Sequence, residues 1–299
     1  MSGSSAVVRF SVARPRSTAV AALVPRFADF RQRAAAPIRR RELPGPRVVL
    51  VFELGEPARL VDPRSGACAA FPGGFVAGLD DAYAISETAG DYRAVQVDFT
   101  PIGAARFFAA APRDLASRVV RLEDAIGSAA RAREIVERLA EAPDAATRFA
   151  ILDRWVEERL SAAPAPPAWI ERAWSLLEAT GGSIDAGALA REIGLGRKHV
   201  GRECRERLGM TPKRLARLLR FERAVKRLEA GRYRDLAAAA LDCGYYDQAH
   251  FNRDFRAFAG ASPGEIARAR RPDASGYAGP DPVSACEATS VQDAVRVPG

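Results

Sequence analysis

Two periodicities divide the chain. Up to about residue 100, apolar residues come in short runs bounded by turn-forming residues. The run RVVLVFEL (47–54) is β-branched and suits a buried strand; GGFVAGL (73–79), AYAISET (82–88) and YRAVQVDF (92–99) read as further strands. PRSGA, LDD and AGD separate them as turns. Residues 102–110 and 123–160 have helical spacing, with Ile126, Ile135, Leu139, Phe149, Leu152 and Leu160 as apolar positions. Short antiparallel strands followed by helices predict an α+β domain, a small barrel or sandwich plus helices.

The stretch SAAPAPPAW (161–169) places three prolines in four positions, which forbids a continuous helix and favours an extended linker. We therefore expect a domain over 1–160, a Pro-rich linker over 161–168 and an all-α domain over 169–271. The tail, 272–299, is rich in Pro, Gly, Ser and Ala without apolar periodicity, and is expected to be disordered.

Within 169–271 a helix–turn–helix pattern occurs twice. In DAGALAREIGL, Ser183 or Asp185 caps a helix, and Leu189, Ala190 and Ile193 share a face. Small Ala190 lets a second helix cross closely, and Gly194 supplies the left-handed turn. Val200, Cys204 and Leu208 then form the apolar face of the second helix, and Arg197, Lys198, Arg202 and Arg205 lie on the other. A basic second helix in this arrangement suits a DNA major groove. Its plainer reading is a pair of amphipathic helices with a solvated face.

Fifty residues on, DLAAAALDCGYYDQAHFNRDFRAF repeats the unit, with Asp235 as cap and Gly244 at the turn. Phe251, Phe255 and Phe258 belong to the core. Gln248, Ala249, Asn252, Arg253 and Arg256 lie outside. The apolar plug comes seven residues past the glycine, against six in the first unit, so this turn is one residue longer. Between the units, PKRLARLLRFERAVKRLEA starts with Pro212 and carries Leu215, Leu218, Leu219, Val225 and Leu228 as a stripe that Gly231 ends. About 17 residues make a rod of about 25 Å. Such a rod suits two recognition helices about 34 Å apart, one DNA turn.

Charge agrees with this. The chain carries a formal +8. Residues 165–272 hold 21 Arg and Lys against 13 Asp and Glu, a surplus of 8, while 1–164 hold 23 against 20. The four cysteines, Cys68, Cys204, Cys243 and Cys286, have no paired spacing, so neither a disulfide framework nor a zinc cluster is expected, and a reducing cytoplasm fits. Cys204 and Cys243 read as small core residues. No apolar run reaches the length of a membrane span. The first 27 residues lack acids and contain several arginines, as an organelle presequence does, but they lack the apolar region of a secretory signal.

Residues 169–271 resemble the DNA-binding domain of the AraC/XylS family of bacterial transcription regulators. The resemblance rests on LAREIGLGRKHVGRECRERLGMTPKRL, RFERAVKRL and above all GYYDQAHFNRDFRAFAGASPGEI. It implies that double-stranded DNA, a promoter or operator site, is the partner. It also implies base-facing positions at Lys198, Gly201 and Arg202 in the first recognition helix and at Ala249, Asn252 and Arg253 in the second. Arg grips guanine and Asn grips adenine in a bidentate manner. Backbone contacts fall to Arg197, Arg205, Lys213, Gln248, His250 and Arg256. The chain departs from the family at Gly201 and Ala249, which bear no hydrogen-bonding side chain, at Gly196 in place of a Ser cap, and at Cys204 in place of Phe. The first unit is expected to be the weaker reader.

Residues 10–160 resemble a cupin-like sensor, on RELPGPRVVLVFELGEP and VQVDFTPIGAARFF. That implies a small-molecule effector or a homodimer platform, and RNA polymerase as a partner of an activator. No histidine occurs in 1–164 and Cys68 is its one cysteine, which argues against a metal site there. Phe52, Phe71, Phe75, Tyr83, Tyr92 and Phe99 read as core before pocket. Arg39, Arg40 and Arg41 read as a solvated loop, and Tyr245 and Tyr246 as packing at a turn. His250 has no serine, cysteine or acid placed for a triad, so no catalytic residue, metal or cofactor is assigned. The rival readings are an enzyme with its active site in the N-terminal half, and a sequence-independent DNA binder.

Overall fold

The computed structural model of the chain describes residues 7–108, 110–231, 236–270 and 276–279. The N-terminal part runs β1 (Val7–Ala13), α1 (Thr18–Ala21), β2 (Arg26–Arg33), β3 (Ile38–Glu42), β4 (Val48–Glu53), β5 (Arg59–Val61), β6 (Cys68–Ala70), β7 (Phe75–Ala77), β8 (Ala84–Thr88) and β9 (Asp91–Phe99). It continues through α2 (Pro101–Phe107), α3 (Pro112–Leu115), β10 (Val119–Arg121), α4 (Leu122–Ile126), α5 (Ala129–Glu141) and α6 (Ala145–Ala162). The C-terminal part is helical: α7 (Ala168–Ala179), α8 (Ala186–Ile193), α9 (Arg197–Leu208), α10 (Pro212–Glu229), α11 (Leu236–Asp242), α12 (Gln248–Ala259) and α13 (Pro263–Ala269). A two-residue strand, β11 (Tyr277–Ala278), follows.

The strands form two sheets, β1-β2-β9-β4-β7-β10 and β11-β3-β8-β5-β6, whose paired strands are all antiparallel. In the larger sheet β4 is apolar on both faces over Val48–Phe52, which is why its sequence reads as a continuous apolar run, while β9 interleaves Arg93, Gln96 and Asp98 with its apolar residues. Tyr92 and Ala94 of β9 pack with Val51, Phe71 and Phe75 in the core between the sheets. The alternate residues Val95, Val97 and Phe99 face the helices with Leu50 and Phe52. There Phe52 meets Trp155 of α6 edge-on at 5.7 Å, and Phe27 stacks on Phe149 at 6.2 Å.

That helix-side core does not stop at the sandwich. It runs on through Ile170, Trp174, Leu189, Val200, Cys204 and Leu208 to Leu215 and Leu219 of α10. A separate core gathers Phe221 and Ala224, further along α10, with Cys243, Phe251, Phe255, Phe258 and Ile266. α10 is thus the shared wall of two cores.

Three sequence expectations change. Arg39–Arg41 is not a solvated loop but lies in β3, where side chains alternate. Arg40 is buried and donates to Thr88 Oγ1 at 3.1 Å, while Arg39 pairs outward with Glu87 at 2.6 Å. Cys68 is disulfide-bonded, whereas the unpaired cysteine spacing led to no expectation of a disulfide framework. Most of the tail also lies outside the described residues, but Tyr277 and Ala278, expected to be disordered, pair with Arg41 and Arg40 of β3. The Tyr277 ring is buried and its hydroxyl donates to Glu229 at 2.8 Å, so one buried aromatic offsets the local polarity.

Candidate nucleic-acid interface

Local chemistry builds the first unit. The Asp185 carboxylate accepts from the backbone N–H groups of Gly187 at 2.7 Å and Ala188 at 3.0 Å, which starts α8 and holds that carboxyl below its ordinary range. Gly194, at φ +73°, ends α8 in the left-handed conformation. α9 then begins after Gly196, an N-cap with no side-chain hydrogen bond. Val200, Cys204 and Leu208 are buried, and burial pushes the Cys204 thiol up to about 12, which makes it an inert core residue.

The second unit is the same construction with a stronger start. Gly244 takes φ +80°. The Asp247 carboxylate caps α12 by accepting from His250 N at 2.6 Å. α12 starts four residues after its turn glycine and α9 three after its own, so the second turn is one residue longer, as the plug spacing predicts. Asp235, expected as the cap of α11, lies outside the described residues. Phe251, Phe255 and Phe258 are buried and lock against Phe221 edge-on, at 5.0 Å for Phe255 and 5.1 Å for Phe258.

The outer faces are basic and open. On α9, Arg197, Lys198, Arg202 and Arg205 are exposed, as is Lys213 at the start of α10. Gly201 lies among them half-buried, with no atom near enough to meet an added Cβ, so that point of the face is a gap. Arg202 is not idle: its guanidinium donates to Glu203 at 3.2 and 3.3 Å and contacts His199 Nδ1 at 3.3 Å. On α12, Gln248, Ala249, Arg253 and Arg256 are exposed.

Asn252 departs from its expected outward place. It is half-buried, and its Oδ1 is enclosed without a hydrogen-bond partner. One position along a helix from buried Phe251 rotates the side chain only about 100°, so Asn252 sits at the rim of the core. A bidentate grip on adenine therefore requires its amide to turn out. His250 is half-buried, edge-on to Tyr245 at 5.2 Å, with Nε2 4.0 Å from Asp254 Oδ2. That carboxylate is buried and committed to Arg217 of α10 at 2.7 Å. Tyr245 packs as expected. Tyr246 does not: it is 86% exposed beside the α12 cap. Alternation does not distinguish these two adjacent tyrosines, because the turn that holds them has no regular period.

Among the described residues no three His, Cys, Asp or Glu side chains gather to hold a metal ion, and no helix is long and apolar enough to cross a membrane. A cleft of about 540 Å³ opens where Arg47 of the N-terminal part, paired with Glu178 at 3.5 Å, faces Arg223, Lys226 and Arg227 on α10.

Residues 189–269 match the helix-turn-helix domain family of AraC type, a stretch that runs from α8 into α13 and takes in both units. The chain matches no curated protein. Among solved structures it aligns with ToxT from Vibrio cholerae in its P21 form, at 11% identity over 87% of this chain and 98% of that one, TM-score 0.43. It aligns likewise with unsaturated fatty acid-bound wild-type ToxT from Vibrio cholerae strain SCE256, at 10% identity over 89% and 95%, TM-score 0.43. A shorter alignment, 31% of this chain and 26% of that one at 12% identity, links it to the coconut allergen cocosin, TM-score 0.25. All three scores lie below 0.5, so function rests on the helix-turn-helix units themselves.

Proposed function

We propose that this chain, which carries an AraC-type helix-turn-helix domain, is a sequence-specific transcription regulator that inserts α9 and α12 into successive major grooves of a promoter. The carrying observation is the pairing of two helices, each apolar within and basic without, on one rod. α10 is 18 residues long, about 27 Å, near the separation of adjacent grooves on one face of DNA. Lys198 and Arg202 on α9, with Arg253 and a rotated Asn252 on α12, supply base contacts. Arg197, Arg205, Lys213, Gln248, His250 and Arg256 hold phosphates. A sequence-blind binder has no use for base-edge groups on rigid helices. The carboxylate nearest His250, that of Asp254, is buried and pairs with Arg217, which supports a structural and non-enzymatic reading of His250.

The function works in the cytoplasm, and the N-terminal part passes on an effector signal. The cleft beside α10 favours a small anion, because four cations line it against Glu178 and Glu222. A second copy of the chain, and RNA polymerase for an activator, complete the partners; light scattering on the DNA complex counts the copies. Selection of binding sites from random duplexes should yield two half-sites about 10 base pairs apart, bound with a steep salt dependence. Uniform binding to all duplexes would overturn the reading. The same assay with inorganic pyrophosphate tests the cleft: an affinity change that Arg223→Ala abolishes supports it, and none refutes it.

A further inference from the structure

Recognition helices have two ends, and the DNA-facing residues account for only one side of them. The C-terminal ends of α9 and α12 are both held by the N-terminal part. On α12, the Arg41 guanidinium donates to the last-turn carbonyl of Ala259 and lies 4.8 Å over the Tyr83 ring. That ring presses on Gly260, the left-handed residue that ends α12, and leaves no room for a Cβ there. On α9, Arg113 of α3 pairs with Glu206, and the Pro112 carbonyl lies 2.9 Å from where a Cβ on Gly209 would stand. The first turn of α10 is tied by Arg214 to Asp81 at 3.0 Å.

These contacts come from one body. Gly78 abuts the backbone of Leu115 too closely to accept a side chain. Ser117 N donates to Leu79 O at 2.7 Å, and Gly78 N to Arg118 O at 3.0 Å. Asp81 and Tyr83 follow directly in the chain. The segment 78–83 and α3 therefore form one ridge that touches α9, α10 and α12 together. The two units have different cores that share α10, so the ridge adds a direct link from the end of α12 to the end of α9.

We propose that this ridge sets the separation and phase of the two recognition helices, so that Arg41, Tyr83 and Arg113 are positioning residues for DNA reading. The inference rests on the proposed reading of two grooves by one chain. One base pair added between half-sites moves the second groove by about 3.4 Å and about 34° around the duplex. A braced pair of helices cannot follow that shift; a pair released from the brace can.

The test uses the full chain and its selected site, with that site also lengthened or shortened by one base pair between half-sites. Wild-type affinity should fall at least about tenfold on either altered site, the loss of one bidentate base contact. In Arg41→Ala/Tyr83→Ala the penalty for altered spacing should shrink toward unity, with a smaller loss on the original site. Arg41→Lys, which keeps a donor and a cation over the ring, should restore the penalty. Thermal melts confirm folding, and Tyr83→Phe, which keeps the ring, serves if the double variant unfolds: its penalty should match wild type, and a lost penalty would overturn the ring's role. A variant that binds all three sites more weakly by one common factor refutes the brace and marks these residues as merely structural. A wild-type protein indifferent to spacing refutes it as well. Failure of wild type to prefer any sequence would instead sink the two-groove reading itself.

Discussion

In the first helix-turn-helix unit, Leu189, Val200 and Cys204 belong to the same apolar cluster as Val95 and Phe99 of the sandwich. In the second, Phe251, Phe255 and Phe258 close around Phe221 in a cluster of their own. The starts of the recognition helices differ too: Asp247 caps α12, whereas Gly196 leaves α9 uncapped. So the unit with the better local chemistry is the one less attached to the rest of the molecule. The first unit shares its core with the N-terminal part; the second has a core of its own, which the N-terminal part meets through Leu43, Tyr83 and Arg41.

The largest effect that would break this comparison is in the cores. Phe255→Ala should cost about 3–5 kcal/mol. Hydrogen exchange should place the loss in α11 and α12, with the sandwich protected as before. Leu208→Ala should instead lower protection in α9 and the sandwich together. Equal spread from both substitutions would show that the two cores are one.

Next comes Glu53, whose buried carboxyl is pushed up from 4.5 to about 7 by burial, opposed in part by the Tyr92 hydroxyl that donates to it at 3.2 Å. Its proton is held more tightly in the folded state. The stabilisation is therefore complete below about pH 4.5 and lost as pH rises through about 7, roughly 3 kcal/mol in all. Urea unfolding across that range should show the fall, and Glu53→Gln should flatten it. If the cores behave as described, first-unit protection falls with the sandwich and second-unit protection does not.

For DNA, Arg253→Ala should weaken the preferred site by about 1–3 kcal/mol and barely change random DNA. Arg202→Ala should cost less, because Glu203 already occupies its guanidinium. Competition binding measures both, and a larger loss at Arg202 would reverse the ranking of the two readers. The smallest effects are at the caps. Asp247→Ala should cost about 1 kcal/mol, while Gly196→Ser should add a few tenths. Melting curves of the two variants check the asymmetry.

Both helix-turn-helix units were legible because their signals are local. A capping acid, a left-handed glycine and an apolar residue at every third or fourth position act within one or two turns. They located Gly194, Val200, Gly244 and Phe251 and offered Asp185 beside Ser183 as a cap without any tertiary information, whereas the Asp247 cap emerges only from the structure. Strands β4 and β7–β9 were legible for the same reason, from apolar runs between turns. Strands β1, β2 and β3 were not, since Arg9, Arg31, Arg33 and the Arg39–Arg41 run mask an alternation that only pairing reveals.

The sequence by itself determined what each unit is and which faces carry positive charge, because helix period and chain stiffness are properties of neighbouring residues. Only the tertiary structure decided how the units are held. Arg41 on Ala259, Arg113 on Glu206 and Arg214 on Asp81 join residues 93 to 218 positions apart. It also decided that Asn252 sits at the rim of a core and Tyr246 in solvent. No spacing rule reaches such contacts, since they depend on where the folded chain brings distant backbone together.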